Sequence, residues 1–133
     1  AKYKNLVETK SDIDETKIIK LSNYISKETI LTTDLLEKKG LKVIALGDGK
    51  HIINQYPLKN KSVTYGTKVF LLTDGTNFTM PDVIGWSSND IKTFCKLIGL
   101  NYNINGYGNV SEVSIKPGEN INFENTLEIT LNQ

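Results

Sequence analysis

Ser87-Ser88-Asn89 matches the Ser-x-Asn pattern found in acyl-transfer sites, and its hydroxyls are the first candidates for chemistry in this chain. A serine hydroxyl becomes a nucleophile only when a placed base takes its proton, the task of the lysine in a Ser-x-x-Lys motif. No serine here is followed by Lys at that spacing. Ser87 or Ser88 is therefore read as the cap of a helix, for which a short side-chain oxygen is well suited. His51 has no distinctive nucleophile pattern beside it and opens a predicted strand. Cys95 falls beside Phe94 on an apolar helical stripe, where a free thiol behaves as a small hydrophobe. One Cys and one His leave no soft-ligand set for a transition metal. No catalytic residue, cofactor or metal is expected. Three aromatic residues remain as candidate ligand or partner contacts: Trp86, Tyr102 and Tyr107. Trp86, just before a helix, either staples the helix start into the core or offers a face for sugar stacking. Tyr102 and Tyr107 either stack on a glycan or press on a neighbouring module.

Composition narrows the classes of partner. With 38% hydrophobic and 23% charged residues among 133, the chain is an ordinary globular sequence, long enough for one domain or two very small ones. Its net charge is +1, and all 16 basic residues are Lys, so it lacks the guanidinium forks that grip phosphates and bases. Nucleic acid is not an expected partner. No apolar run exceeds the four residues of Val69-Phe70-Leu71-Leu72, far short of the roughly 20 that span a bilayer, so any anchor would lie upstream.

An internal repeat organises the chain. Gly40, Leu41, Gly47 and Gly49 match Gly99, Leu100, Gly106 and Gly108 at an offset of 59 residues. Val63, Tyr65, Val69 and Leu71 then match Ile121, Phe123, Leu127 and Ile129 at an offset of 58, one residue having been lost in the second copy. The second copy predicts a helix capped near Ser87, with Ile91, Phe94, Cys95 and Ile98 on one face and Gly99 as its stop. The first predicts one over 26–39, with Leu31, Leu35 and Leu36 as its apolar stripe. Strands are predicted over 41–46, 51–56 and 67–73, and again over 100–105, 109–115 and 126–131. The expected fold is α+β: two tandem modules, 17–76 and 77–133, each one helix packed on a three-stranded antiparallel sheet. The Gly47-Asp48-Gly49 and Gly106-Tyr107-Gly108 triplets are read as hairpin turns. Residues 1–16 are polar and out of register with the repeat, a leader or linker remnant. Modules this small gain from a neighbour, so a compact pair is expected.

Met80-Pro81-Asp82-Val83-Ile84-Gly85-Trp86-Ser87, the helix to Gly99-Leu100, the Gly106-Tyr107-Gly108 turn and Lys116-Pro117-Gly118 together closely resemble a PASTA domain. The opening phrase with its Trp looks like the last PASTA module of division and sporulation penicillin-binding proteins of Gram-positive bacteria. The first copy resembles the family more weakly: Leu21-Ser22-Asn23-Tyr24 stands where Pro and Gly are expected, while Gln55-Tyr56-Pro57 fits. The resemblance implies a non-catalytic module on the extracytoplasmic face of the cell membrane. It further implies a single-pass anchor and a transpeptidase domain elsewhere in the protein. Implied partners are uncrosslinked peptidoglycan or its stem peptide, the transpeptidase domain of the same chain, and division proteins. The alternative is the muropeptide-sensing ectodomain of a PASTA serine/threonine kinase.

Overall fold

A computed structural model describes residues 18–133. The leader expected over 1–16 lies outside the described residues. The first module contains β1 (Ile18–Lys20), α1 (Thr29–Lys38), β2 (Lys42–Leu46), β3 (Ile52–Tyr56), β4 (Ser62–Thr64) and β5 (Lys68–Thr73). The second contains α2 (Ser88–Ile98), β6 (Tyr102–Gly106), β7 (Asn109–Val113) and β8 (Leu127–Asn132). Each module is the expected helix on a three-stranded sheet, and the class is α+β.

Pairing within the sheets differs from the antiparallel arrangement expected. In both, the last strand in sequence lies in the middle, in the orders β2-β5-β3 and β6-β8-β7. It runs parallel to the first strand and antiparallel to the second. The sheets are therefore mixed, and the glycine triplets are crossovers over the end of a central strand instead of hairpin turns. Close approach explains those glycines. A Cβ on Gly106 would overlap the carbonyl oxygen of Leu131, and one on Gly108 that of Asn132, both in β8. In the first module Gly49 and Gly75 lie back to back, so that a Cβ on either would overlap the other's backbone nitrogen. A short ribbon of β1 against β4, not foreseen from the sequence, closes one end of this module.

Helix α1 also differs. It begins at Thr29, after Ser26 has taken a left-handed φ of 75°, and its buried residues are Thr29, Thr32 and Leu36. Leu31 and Leu35, expected on the inner stripe, face outward. Helix α2 keeps its expected stripe: Ile91, Phe94 and Cys95 are buried, the Ser87 hydroxyl accepts from the Asp90 N–H at 3.1 Å, and Gly99 ends it in a left-handed conformation.

The first module's core is Leu21, Tyr24, Leu36, Leu41, Ile52, Val69 and Leu71. Buried Gln55 holds the incoming chain against it: its oxygen accepts from the Tyr24 N–H at 2.7 Å and its amide donates to Ser22 O and Pro57 O. Both amide hydrogens and the oxygen have partners, so burying this side chain orphans none of its polar atoms. The second core joins the two modules, since Leu46 and Phe70 of the first belong to the same buried cluster as Trp86, Ile91, Phe94, Leu127 and Ile129. The reason lies in the two faces of each sheet. On the outer face of the first, Ile44 is paired with Phe70 and Leu46 with Leu72, all apolar. The repeat-equivalent pairs in the second are Asn103 with Glu128 and Asn105 with Thr130, all exposed. An apolar face must be covered and a polar one need not be. The second module covers the first one's sheet and leaves its own in water.

Candidate functional site

The junction between the modules is built around Trp86. The chain reaches it through a turn in which the Trp86 N–H donates to Val83 O, while backbone bonds from Gly85 N–H to Val110 O and from Val110 N–H to Trp86 O pin the turn to β7. The indole is edge-on to Phe70 of the first module at 5.7 Å and to Phe94 of α2 at 6.1 Å. These arrangements suit the ring quadrupoles and add to the burial of apolar area. Lys68 places its ammonium 5.4 Å from the indole centroid and 3.1 Å from the Asp90 carboxylate. Trp86 is 6% exposed.

A second set of contacts fixes the linker. The Asp48 carboxylate, in the crossover of the first module, accepts from the backbone N–H groups of Thr76 and Asn77 and from the Asn77 side-chain amide at 3.0 Å. The Asn77 side chain and backbone hold its carboxyl below the usual carboxylate range. This clamp is retained while Asp48 is ionised and weakens as the pH falls through that lowered value. Nearby, the Thr73 hydroxyl donates to Leu46 O at 2.8 Å and accepts from the Gly49 and Gly75 N–H groups. Crossover, central strand and linker thus meet at one oxygen.

Because Lys68 and Asp90 are partly shielded from water, their pair should be worth more than a surface bridge. Lys68→Met is expected to cost about 1 kcal/mol in chemical denaturation and to alter Trp86 emission. Lys38→Ala, which removes an exposed pair with Asp34, should cost close to nothing.

The other candidate residues are dispersed. Tyr102, on β6, is half-buried in a shallow groove with Cys95, Lys96, Asn101, Asn103 and Thr126. Neither Trp86 nor Tyr107 is on its wall. Tyr107 sits at the tip of the second crossover, 82% exposed. His51 lies 3.7 Å from Asp74, and both are exposed. It stands at the rim of a groove with Gly47, Gly49 and Thr29, whose hydroxyl donates to Gly49 O. Among the described residues no three of His, Cys, Asp or Glu gather as a metal site, and no helix is long and apolar enough to cross a membrane.

Cys95 is fully buried, and burial pushes its thiol up to about 12. The sign follows from proton counting: above the ordinary thiol range the unfolded chain releases a proton that the folded chain keeps. Cys95 therefore contributes stability that is complete below pH 9.0 and is lost as the pH rises towards about 12. A thiol reagent at pH 8 should label native protein at least about a hundredfold more slowly than denatured protein, as the thiolate is the reactive form. Comparable rates would contradict the burial.

Lys68, Asp90 and the Asp48 clamp were missed in the sequence because each acts across the modules. One signal did point to the junction. Residues 69–72 are continuously apolar, whereas the equivalent stretch of β8 alternates, and a strand buried on both faces reads in that way.

The PASTA domain family model matches residues 19–75 and 78–133. No curated protein sequence matches the chain. Penicillin Binding Protein 2X from Streptococcus thermophilus is similar in structure, with a TM-score of 0.73 at 22% identity over 87% of this chain. The chain spans 17% of that protein's length. The three-PASTA-domain region of a Ser/Thr kinase from Staphylococcus aureus matches with a TM-score of 0.35 at 20% identity, over 84% of this chain and 66% of that one. With both repeats matched, the chain belongs to the PASTA domain family, the non-catalytic modules that bind cell-wall peptidoglycan and occur in penicillin-binding proteins and PASTA kinases.

Proposed function

We propose that this tandem is an extracytoplasmic accessory module of a peptidoglycan transpeptidase acting in septal wall synthesis, and that it positions the enzyme through contacts with the wall and with division partners. The observation that carries the reading is the junction. Trp86, Phe70 and Phe94 bury one shared core, and Asp48 ties down the linker, so the two modules form a fixed strut able to hold a catalytic domain at a set distance. The likeness to Penicillin Binding Protein 2X, extending over 87% of the chain and therefore over both modules, supports it. Tyr107, with its ring in solvent, and Tyr102, in its groove, are the proposed contacts for uncrosslinked peptidoglycan. Trp86 offers a ligand little of its ring and serves as an optical reporter of the junction.

The test is complementation by the parent enzyme lacking residues 18–133. Loss of septal localisation and a division defect are expected. Normal division and localisation would sink the proposal. A titration with muropeptides bearing a free stem peptide, comparing the wild type with Tyr107→Ala, tests the wall contact separately.

A further inference from the structure

Charge is shared unevenly between the modules. Residues 18–76 carry nine Lys and five acidic residues, residues 77–133 three Lys and six acidic ones. The lysines of the first module gather at one end. Parallel pairing sets Lys42 opposite Lys68, and the pairing of Tyr56 with Phe70 brings the end of β3 to the same level. The last turn of α1, with Lys38 and Lys39, is tied to this end by the Gly66 N–H, which donates to Gly40 O at 2.8 Å. Residues 57–64 run across it, where Lys20 is paired with Ser62 and Lys61 O accepts from the Leu21 N–H. Lys20, Lys39, Lys42, Lys59 and Lys61 are exposed, and among the described residues none of the five forms an ion pair. Asp34 is held by Lys38 at 2.9 Å, which leaves Glu37 as the carboxylate of this end. At the opposite end Glu28, Asp48 and Asp74 outnumber Lys27 and Lys50. Apolar groups are interleaved with the clustered lysines. Leu58, between Pro57 and Lys59, is 54% exposed, Tyr65 54% and Tyr56 49%. The Tyr65 ring lies against Gly40, where a Cβ would come within 3.0 Å of three of its carbons.

We propose that this end of the first module rests on an anionic lipid surface, with the lysines among the phosphate headgroups and Leu58, Tyr56 and Tyr65 at the boundary with the acyl chains. The proposal rests on the extracytoplasmic placement argued above, which puts a membrane within reach. Two properties favour lipid over a soluble anionic polymer. A lysine carries its charge on an aliphatic stem, which lies along apolar matter while the ammonium stays with the headgroups. An exposed leucine gains nothing from a hydrated polyol phosphate chain and is stabilised where it leaves water, and tyrosine suits the same boundary. The juxtaposition of like charges, Lys42 opposite Lys68 above all, costs the free protein stability that an anionic surface returns.

The test is co-sedimentation of the chain with vesicles of phosphatidylcholine alone or with about one third phosphatidylglycerol, where each lysine near the surface contributes about fivefold in affinity. Binding is expected to the anionic vesicles only, and to weaken as salt is added. Lys59→Gln and Lys61→Gln should each lower it about fivefold, whereas Lys27→Gln and Lys50→Gln, at the other end, should leave it within about twofold. Leu58→Ser should also lower it about fivefold, through the apolar area no longer buried, while the Tm stays that of the wild type. Equal binding to both kinds of vesicle, or none to either, would overturn the proposal. Tight binding to soluble poly(glycerol phosphate), with vesicle binding indifferent to Leu58→Ser, would assign the end to a polymer instead. Self-association in sedimentation without vesicles, abolished by Lys59→Gln, would assign it to the acidic second module of another copy. Vesicle binding by a chain whose deletion leaves division normal would defeat the functional reading and keep the lipid contact; a division defect without vesicle binding would do the reverse.

Discussion

Replacing Gly106 by Ala should destabilise the second module by about 3 kcal/mol or more, measured by chemical denaturation and followed through Trp86. Two costs combine. Gly106 has a φ of 94°, where a side chain on an L-residue costs about 1–2 kcal/mol. Its Cβ would also overlap the carbonyl oxygen of Leu131, which is backbone of the central strand and cannot swing aside as a side-chain end can. Gly85→Ala is the control. Gly85 has a φ of 89° but open space around its missing Cβ, so only the conformational cost of about 1–2 kcal/mol applies. If the two variants lose the same stability, the crossover does not pass as closely over β8 as the structure has it.

Phe70→Ala is the second large expectation, and it should change the form of the unfolding curve as well as its midpoint. Truncating a buried Phe costs about 3–5 kcal/mol. Phe70 belongs to β5 of the first module but is buried in the core of the second, against Trp86. The wild type should therefore unfold in a single transition, because neither module keeps its apolar surfaces covered without the other. In Phe70→Ala the coupling falls, and calorimetry should resolve two transitions, one reported by Trp86 and one not. A single transition merely shifted to lower temperature would mean that the Asp48 clamp and the surrounding aliphatic residues suffice to couple the modules.

Much of this architecture could be read from residue order because it is local. The i, i+3, i+4 spacing of Ile91, Phe94 and Cys95, the Ser87 cap and the Gly99 stop are short-range features, and they gave α2 nearly to the residue. The repeat then carried the same element order to the first copy. Strand pairing was not local. Nothing between Leu46 and Ile52 states that a third strand, more than ten residues further on, will enter between them. A Gly-Asp-Gly triplet suits a hairpin and a crossover equally well, since both need positive φ and a missing Cβ. For α1, Leu31 and Leu35 suggested an inward face that Thr29, Thr32 and Leu36 occupy, because residue type on so weak a stripe does not fix which side of a helix its own sheet covers. The aromatic candidates divided in a similar way. The position of Trp86 before a helix suited packing and sugar stacking alike, and the ring it packs against, Phe70, comes from the other module.

The placement of β5 and β8 has a consequence for the order of events during synthesis. Each is the last strand of its module and the only one bonded to both others. As the chain emerges from its N-terminal end, β2 and β3 are available before β5 but have no ladder to join, and the sheet waits for residues 68–73. The second module waits likewise for residues 127–132. Each module should therefore condense late, in one step, when its final strand slides between two that are already present. Such non-local closure makes for slow folding relative to helical domains of the same size. Truncation before residue 127 would remove the central strand of the second module, leaving β6 and β7 without a neighbour and the aromatic junction without its floor.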